Sequence, residues 1–106
     1  MTATTDFIAE LFRAANEIDK LATLEKGRLL LRAIVTIRDM RDVVGMPTSG
    51  TEADALIEIG AVAAAIDWKP NQDVRAALLE AAGMIRDLRI VMDTKIEVIV
   101  KTARET

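Results

Sequence analysis

LLRAIVTIRDMRDVV at residues 30–44 returns as LLEAAGMIRDLRIVM at residues 78–92. Leu30, Ile34, Ile37, Met40 and Val44 step by three and four in the first stretch, and Leu78, Ala81, Ile85, Leu88 and Met92 do so in the second. A turn of 3.6 residues puts such positions on one helix face, whereas a half-buried strand would alternate every two residues. Arg38-Asp39 and Arg86-Asp87 also stand in one frame, as do Arg41 and Arg89. An apolar stripe alone does not require matched charges, so the correspondence reads as an internal repeat.

The same offset of 48 residues carries the match toward the N-terminus: Asp6, Glu10, Ala15, Ile18 and Asp19 fall on Asp54, Glu58, Ala63, Ile66 and Asp67. Residues 6–44 against 54–92 give 13 identities in 39 positions. Each unit reads as an antiparallel αα-hairpin. The expected fold is all-α, one domain over residues 1–106, with the two duplicated hairpins (6–44 and 54–92) packed as a pseudo-symmetric four-helix bundle. A long C-terminal helix adds an extension over 93–104. Two repeats are few for a solenoid, so a bundle is expected.

Local signals predict the boundaries. The first helix spans about 5–21, with Ile8, Leu11, Phe12, Ala15, Ile18 and Ala22 on one face. Thr23 reads as the N-cap of the second and Gly45, followed by Pro47, as its stop. The third starts at Thr51, spaced from Asp54 like a capping box, and ends before Pro70. Its AVAAAI segment is apolar nearly all round, which predicts an interior helix. Asn71 reads as the N-cap of the fourth, which no proline interrupts as far as Arg104. Gly83 inside it costs roughly 1 kcal/mol against alanine, so it reads as a kink or a tight contact.

Composition narrows the chemistry. With 51% hydrophobic and 29% charged residues, the chain is globular rather than disordered. It has no cysteine, histidine or tyrosine. Disulfides and zinc–thiolate sites are excluded, and the commonest general base and metal ligand are missing. Di-iron bundles need Glu-x-x-His pairs, which this chain cannot supply. No catalytic, cofactor or metal site is therefore expected. A net charge of −3 offers no overall attraction to nucleic acid. The apolar run at 59–66 is far shorter than the ~20 residues that span a bilayer. Residues 1–12 have neither a basic start nor an apolar run, unlike a signal peptide. A soluble, cytoplasmic protein without nucleic-acid or membrane partners is expected.

The repeated arginines, Arg38 and Arg41 with Arg86 and Arg89, are the most pointed polar feature. Equal lengths back from each hairpin turn would bring Asp6 level with the first pair and Asp54 level with the second. Exposed ion pairs of that kind contribute ~0–1 kcal/mol each. The sharper alternative is an anion site, since a guanidinium grips a carboxylate through two parallel bonds. Other acids fall in i,i+4 ladders: Arg13–Glu17, Arg38–Asp42, Arg89–Asp93 and Glu97–Lys101. Arg28 and Arg32, near Lys26, read as a solvated face. Trp68, the one tryptophan, reads as a cap on the end of the core, with a partner-binding anchor as the alternative.

The fourth helix has no stop where Gly45 ends the second. Its continuation carries Ile96, Val98, Ile99, Val100 and Ala103. A second copy is the simplest cover for such a stripe, which predicts a homodimer with Ile96, Ile99 and Ala103 at its interface. The expected function is that of a non-enzymatic protein-interaction or regulatory protein, a small helical homo-oligomer that also binds another protein. The alternative is a small all-α enzyme with an arginine–glutamate pocket between the hairpins.

Overall fold

The computed structural model describes residues 3–45 and 50–105, with side chains described over 4–45 and 54–94. The described residues form four α-helices: α1 Ala3–Asn16, α2 Thr23–Val44, α3 Gly50–Ala64 and α4 Asn71–Glu105, with a 3-10 turn at Ile18–Lys20 between α1 and α2. No strand occurs among the described residues. The molecule measures 57 × 30 × 16 Å. The long axis is essentially α4, since its 35 residues at a helical rise of about 1.5 Å reach ~52 Å. The short axis accommodates no more than two layers of helices at the usual 8–10 Å spacing of packed axes.

The core lies where the two repeated stripes meet. Leu30, Ile37, Leu78 and Ile85 are completely buried, with Ala33, Ala81, Ile34, Met40 and Leu88 around them. All six side chains expected at its centre, Leu30, Ile34, Ile37, Leu78, Ile85 and Leu88, are in it. Backbone packing is closest between α2 and α4 and between α1 and α4, with α3 resting on α2 and more lightly on α4. Thus α1 leans on α4 rather than along its sequence neighbour. It meets α2 through side chains: Arg32 Nη1 donates to Glu10 Oε2 at 3.2 Å, and the same guanidinium sits 4.2 Å above the Phe7 ring. Phe7, Leu11, Ala14, Ala15 and Ile18 form the buried line of this segment. Phe12, expected inside, is partly exposed. The two lines share Leu11, Ala15 and Ile18, and the Arg32–Phe7 contact accompanies the Phe7 side.

The stop at Gly45 is realised as expected. Its φ of 72° lies in the left-handed region, where glycine is unstrained, and its N–H bonds to the Arg41 carbonyl at 2.8 Å. Other boundaries differ. The first helix ends at Asn16, and the chain tightens into the 3-10 turn, with Lys20 N–H on the Glu17 carbonyl. Asn16 and Asp19 are residues whose short polar side chains compete with helical hydrogen bonding. Thr23 is the first helical residue rather than the cap; Ala22 holds that place without a side-chain bond. The third helix stops at Ala64, six residues before Pro70, and Trp68 N–H and Lys69 N–H return to the Ala65 carbonyl in successive turns.

Nor is α3 interior. Only Ile59 among its described side chains is fully buried, and Ile57 is 68% exposed. Two layers leave a solvent side on each helix, and the small side chains of α3 need little cover. The expected capping box of Thr51 with Asp54 lies partly outside the described side chains. Gly83 sits within continuous helix, and a Cβ built there meets nothing within 4 Å, so no tight contact explains it.

Candidate functional site

Two grooves flank α2, one on each side. The first lies between α1 and α2 and holds about 400 Å³. Ala14, Leu21 and Leu29 floor it, and Glu10, Glu17 and Glu25 face Arg13, Arg28 and Arg32 around it. Arg28 and Arg32, read from sequence as a solvated face, thus share a balanced rim with as many carboxylates. Balanced charge gives no field that would draw a polyanion.

The second groove lies between α2 and α3 and holds about 530 Å³. It is lined by Ile34, Arg38, Arg41, Asp42, Leu56, Ile57 and Gly60. Helical spacing explains how α2 presents this set: positions 34, 38 and 41 step by four and three along one side, facing α3. Gly60 keeps the opposite wall shallow, since a Cβ there would lie 3.9 Å from Ile34 Cδ1. Arg41 is the one charged side chain among the described residues that is buried, at 7% exposure. Arg38, one turn back, is exposed and makes no hydrogen bond or ion pair among the described residues.

Half of the predicted arginine set is therefore brought together. Arg38 and Arg41 share this groove, whereas Arg86 and Arg89 are engaged along their own helix, with Asp87 at 3.8 Å and Asp93 at 3.9 Å. The hairpin-end pairing expected for Asp6 is not formed among the described residues: α1 packs on α4, and the guanidinium from α2 that pairs with an acid of α1 is that of Arg32, at Glu10. Trp68 is 81% exposed in the turn after α3, which corrects its reading as a core cap. The early stop of α3 carries it away from the helix whose end it was expected to close. Ile96, Ile99 and Ala103 fall within the α4 backbone, but their side chains lie outside the described residues.

A polar tie escaped the sequence reading. Asn71 Oδ1 accepts from Lys26 Nζ at 2.8 Å, and Asn71 Nδ2 donates to Asp19 Oδ1 at 2.8 Å. Arg75 Nε donates to the Ala15 carbonyl at 3.1 Å, placing a cation on the last turn of α1. Asn71 was expected as a cap; instead the Pro70 carbonyl accepts from Asp73 and Val74 N–H, and the Asn71 amide joins three segments. The recurrence of Asp19 at Asp67 drew attention to that carboxylate, but no local pattern marks Arg75.

Among the described residues, no group of three or more acidic side chains is placed to hold a metal ion, and no helix is long and apolar enough to cross a membrane. Comparison with family models, with curated proteins and with solved structures finds no match.

Proposed function

We propose that the chain is a non-enzymatic interaction protein that works as a homodimer, the second copy covering the far part of α4. The observation that carries this reading is the inequality of the paired helices. α2 has 22 residues and closes at Gly45, while α4 has 35. No described side chain past Leu88 is buried, yet the helix runs on to Glu105. In helical register, Leu88 and Met92 lead into Ile96, Ile99 and Ala103. Fully covering each larger aliphatic gains ~1.5–3 kcal/mol. A two-fold pairing would bring the same stripe from each copy together.

A duplicated helix pair belongs to the same proposal, with α1 packed on α4 and meeting α2 through side chains rather than as the close hairpin expected from sequence. The boundaries of the helices support it, with α1 ending at Asn16 and α3 at Ala64, and α2 beginning at Thr23 and α4 at Asn71. Burial also follows the 48-residue offset at Leu11 with Ile59, Leu30 with Leu78, Ala33 with Ala81 and Ile37 with Ile85. In this reading one helix pair was copied, and the second copy acquired the long helix that serves self-association. Trp68, exposed in a turn, is the proposed anchor for a different protein. The enzymatic alternative calls for a deep polar pocket holding Arg41 with a carboxylate; Asp42 does line the groove with Arg41, but Ile34, Leu56 and Ile57 make the rest of its described lining apolar, which gives that reading less support.

Replacing Ile96 and Ile99 together by aspartate tests the dimer. Light scattering should show the assembly dissociating while circular dichroism keeps its helical signal. An unchanged mass for the double variant would overturn the proposed interface.

A further inference from the structure

We propose that the groove between α1 and α2 binds a free amino acid with an apolar side chain, its carboxylate held by Arg13 and Arg28 and its ammonium by Glu17 and Glu25. The groove exists because α1 leans on α4 and meets α2 through side chains, which leaves a valley between the two helices. Arg32 closes one end at Glu10, 3.2 Å away, and Leu21, where the chain leaves the 3-10 turn, closes the other. The volume of about 400 Å³ is of the size of small-molecule sites, which run roughly 300–1,000 Å³. The inference stands apart from the dimer, since the lining residues belong to the first two helices and their turn in one chain.

Charges that balance around the rim separate along the length of the groove. The Glu10–Arg32 pair sets the register of the two antiparallel helices. Three residues on from Glu10 and three back from Arg32 stand Arg13 and Leu29, with Arg28 beside it. Seven on and seven back stand Glu17 and Glu25. Two guanidiniums thus share one level of the groove and two carboxylates the next, about one turn or ~6 Å further along α1. The side chains of Arg13, Glu17, Glu25 and Arg28 are exposed and make no hydrogen bond or ion pair among the described residues. The i,i+4 ladder expected of Arg13 with Glu17 is therefore open. Like charges level across a groove repel, and each pair is relieved by a ligand group of the opposite sign. The arginine forks suit a carboxylate, and the glutamates accept from an ammonium.

Both levels must be answered at once, and that selects the ligand. A monocarboxylate leaves the two glutamates opposed, and a simple amine leaves the two guanidiniums opposed. A free amino acid carries its ammonium and its carboxylate on one carbon, whereas a peptide holds them at opposite ends. The flexible stems of arginine and glutamate lean toward such a dipolar head from both helices. A divalent cation finds no group of three or more acidic side chains among the described residues. Beneath the charges the floor is apolar, with Ala14 buried and Leu21 and Leu29 half-buried. An aliphatic or aromatic side chain covers that floor, which a bare head would leave in water.

The test is a titration of the intact chain with L-phenylalanine, monitored by amide chemical shifts and by calorimetry. 3-Phenylpropionate lacks the ammonium, phenethylamine lacks the carboxylate, and glycine lacks the body. Saturable binding of phenylalanine is expected, with shifts centred on residues 10–17 and 21–32. Each partial probe should bind at least about threefold more weakly, the scale of one pair of charges still open to water. Arg28→Gln and Glu17→Gln alter exposed positions and should fold normally, and each should lower the affinity for phenylalanine by about threefold or more. The losses should cross between the partial probes. Arg28→Gln should weaken 3-phenylpropionate and spare phenethylamine, while Glu17→Gln should do the reverse, a pattern that a distorted groove would not give. The double aspartate variant at Ile96 and Ile99 should bind phenylalanine like the unaltered chain, which separates this site from self-association. Absence of saturation through the millimolar range would overturn the proposal. So would a partial probe that binds as tightly as phenylalanine, shifts mapping elsewhere, unchanged phenylalanine affinity in either variant, or a uniform loss for all probes.

Discussion

Ile37 and Ile85 occupy equivalent places in the repeated stripe, and neither retains any exposure to solvent. Truncating either to alanine removes apolar contacts from a closed core and should cost ~2–5 kcal/mol, read from urea unfolding. A loss below ~1 kcal/mol at both would mean that the stripes do not meet in a tight core. Gly83 predicts the opposite sign. A Cβ at that position meets nothing within 4 Å, and the residue lies inside α4. Gly83→Ala should therefore stabilise by ~1 kcal/mol, raising the thermal midpoint by ~4–8 °C in a domain of this size. A lower midpoint would show that the helix bends or opens there. At this scale the buried stripe was legible, because helical periodicity depends only on neighbours along the chain. The tie made by Asn71 was not. An asparagine ahead of an acidic turn reads locally as a cap, and the same amide serves equally well to join Lys26 and Asp19, which only the tertiary fold brings within reach.

Helix starts and stops were legible where a residue with one strong conformational preference stands at the boundary. Gly45 is the clearest instance, with its φ of 72° and its bond back to Arg41. The end of α3 was not, since Pro70 limits only the residue before it and the chain had already turned after Ala64. The position of α3 was misjudged for a related reason. Its run of alanines permits packing on every side, but coverage depends on how many layers surround it, and the 16 Å thickness leaves one side open. The arginine groove was half legible: spacing placed Arg38 and Arg41 together on α2, while the apolar wall opposite comes from the docking of α3. The turn after α3 supplies a test of its own. Trp68 is the sole tryptophan and 81% exposed, so its emission reports that turn alone. We expect red-shifted fluorescence that acrylamide quenches as it does free indole. A blue-shifted, protected emission at dilutions where the chain is monomeric would place Trp68 against the body of the protein.

At the scale of the whole molecule, the chain is a thin slab in which one helix of 35 residues outruns its neighbours of 14, 22 and 15. The described core reaches Leu88, whereas α4 continues to Glu105. Small domains depend on a modest core, and leaving an aliphatic stripe in water forgoes stabilisation that a second copy can supply. The sequence makes the length of α4 legible, because nothing in residues 71–105 breaks a helix. It does not reveal what lies against the end of that helix, since cover by another chain leaves no mark on local periodicity. The solution mass of the intact chain by multi-angle light scattering, followed from low to high micromolar concentration, bears on this most directly. Self-association predicts a mass of twice 11.6 kDa over the upper part of that range. A single species of 11.6 kDa at every concentration would contradict it.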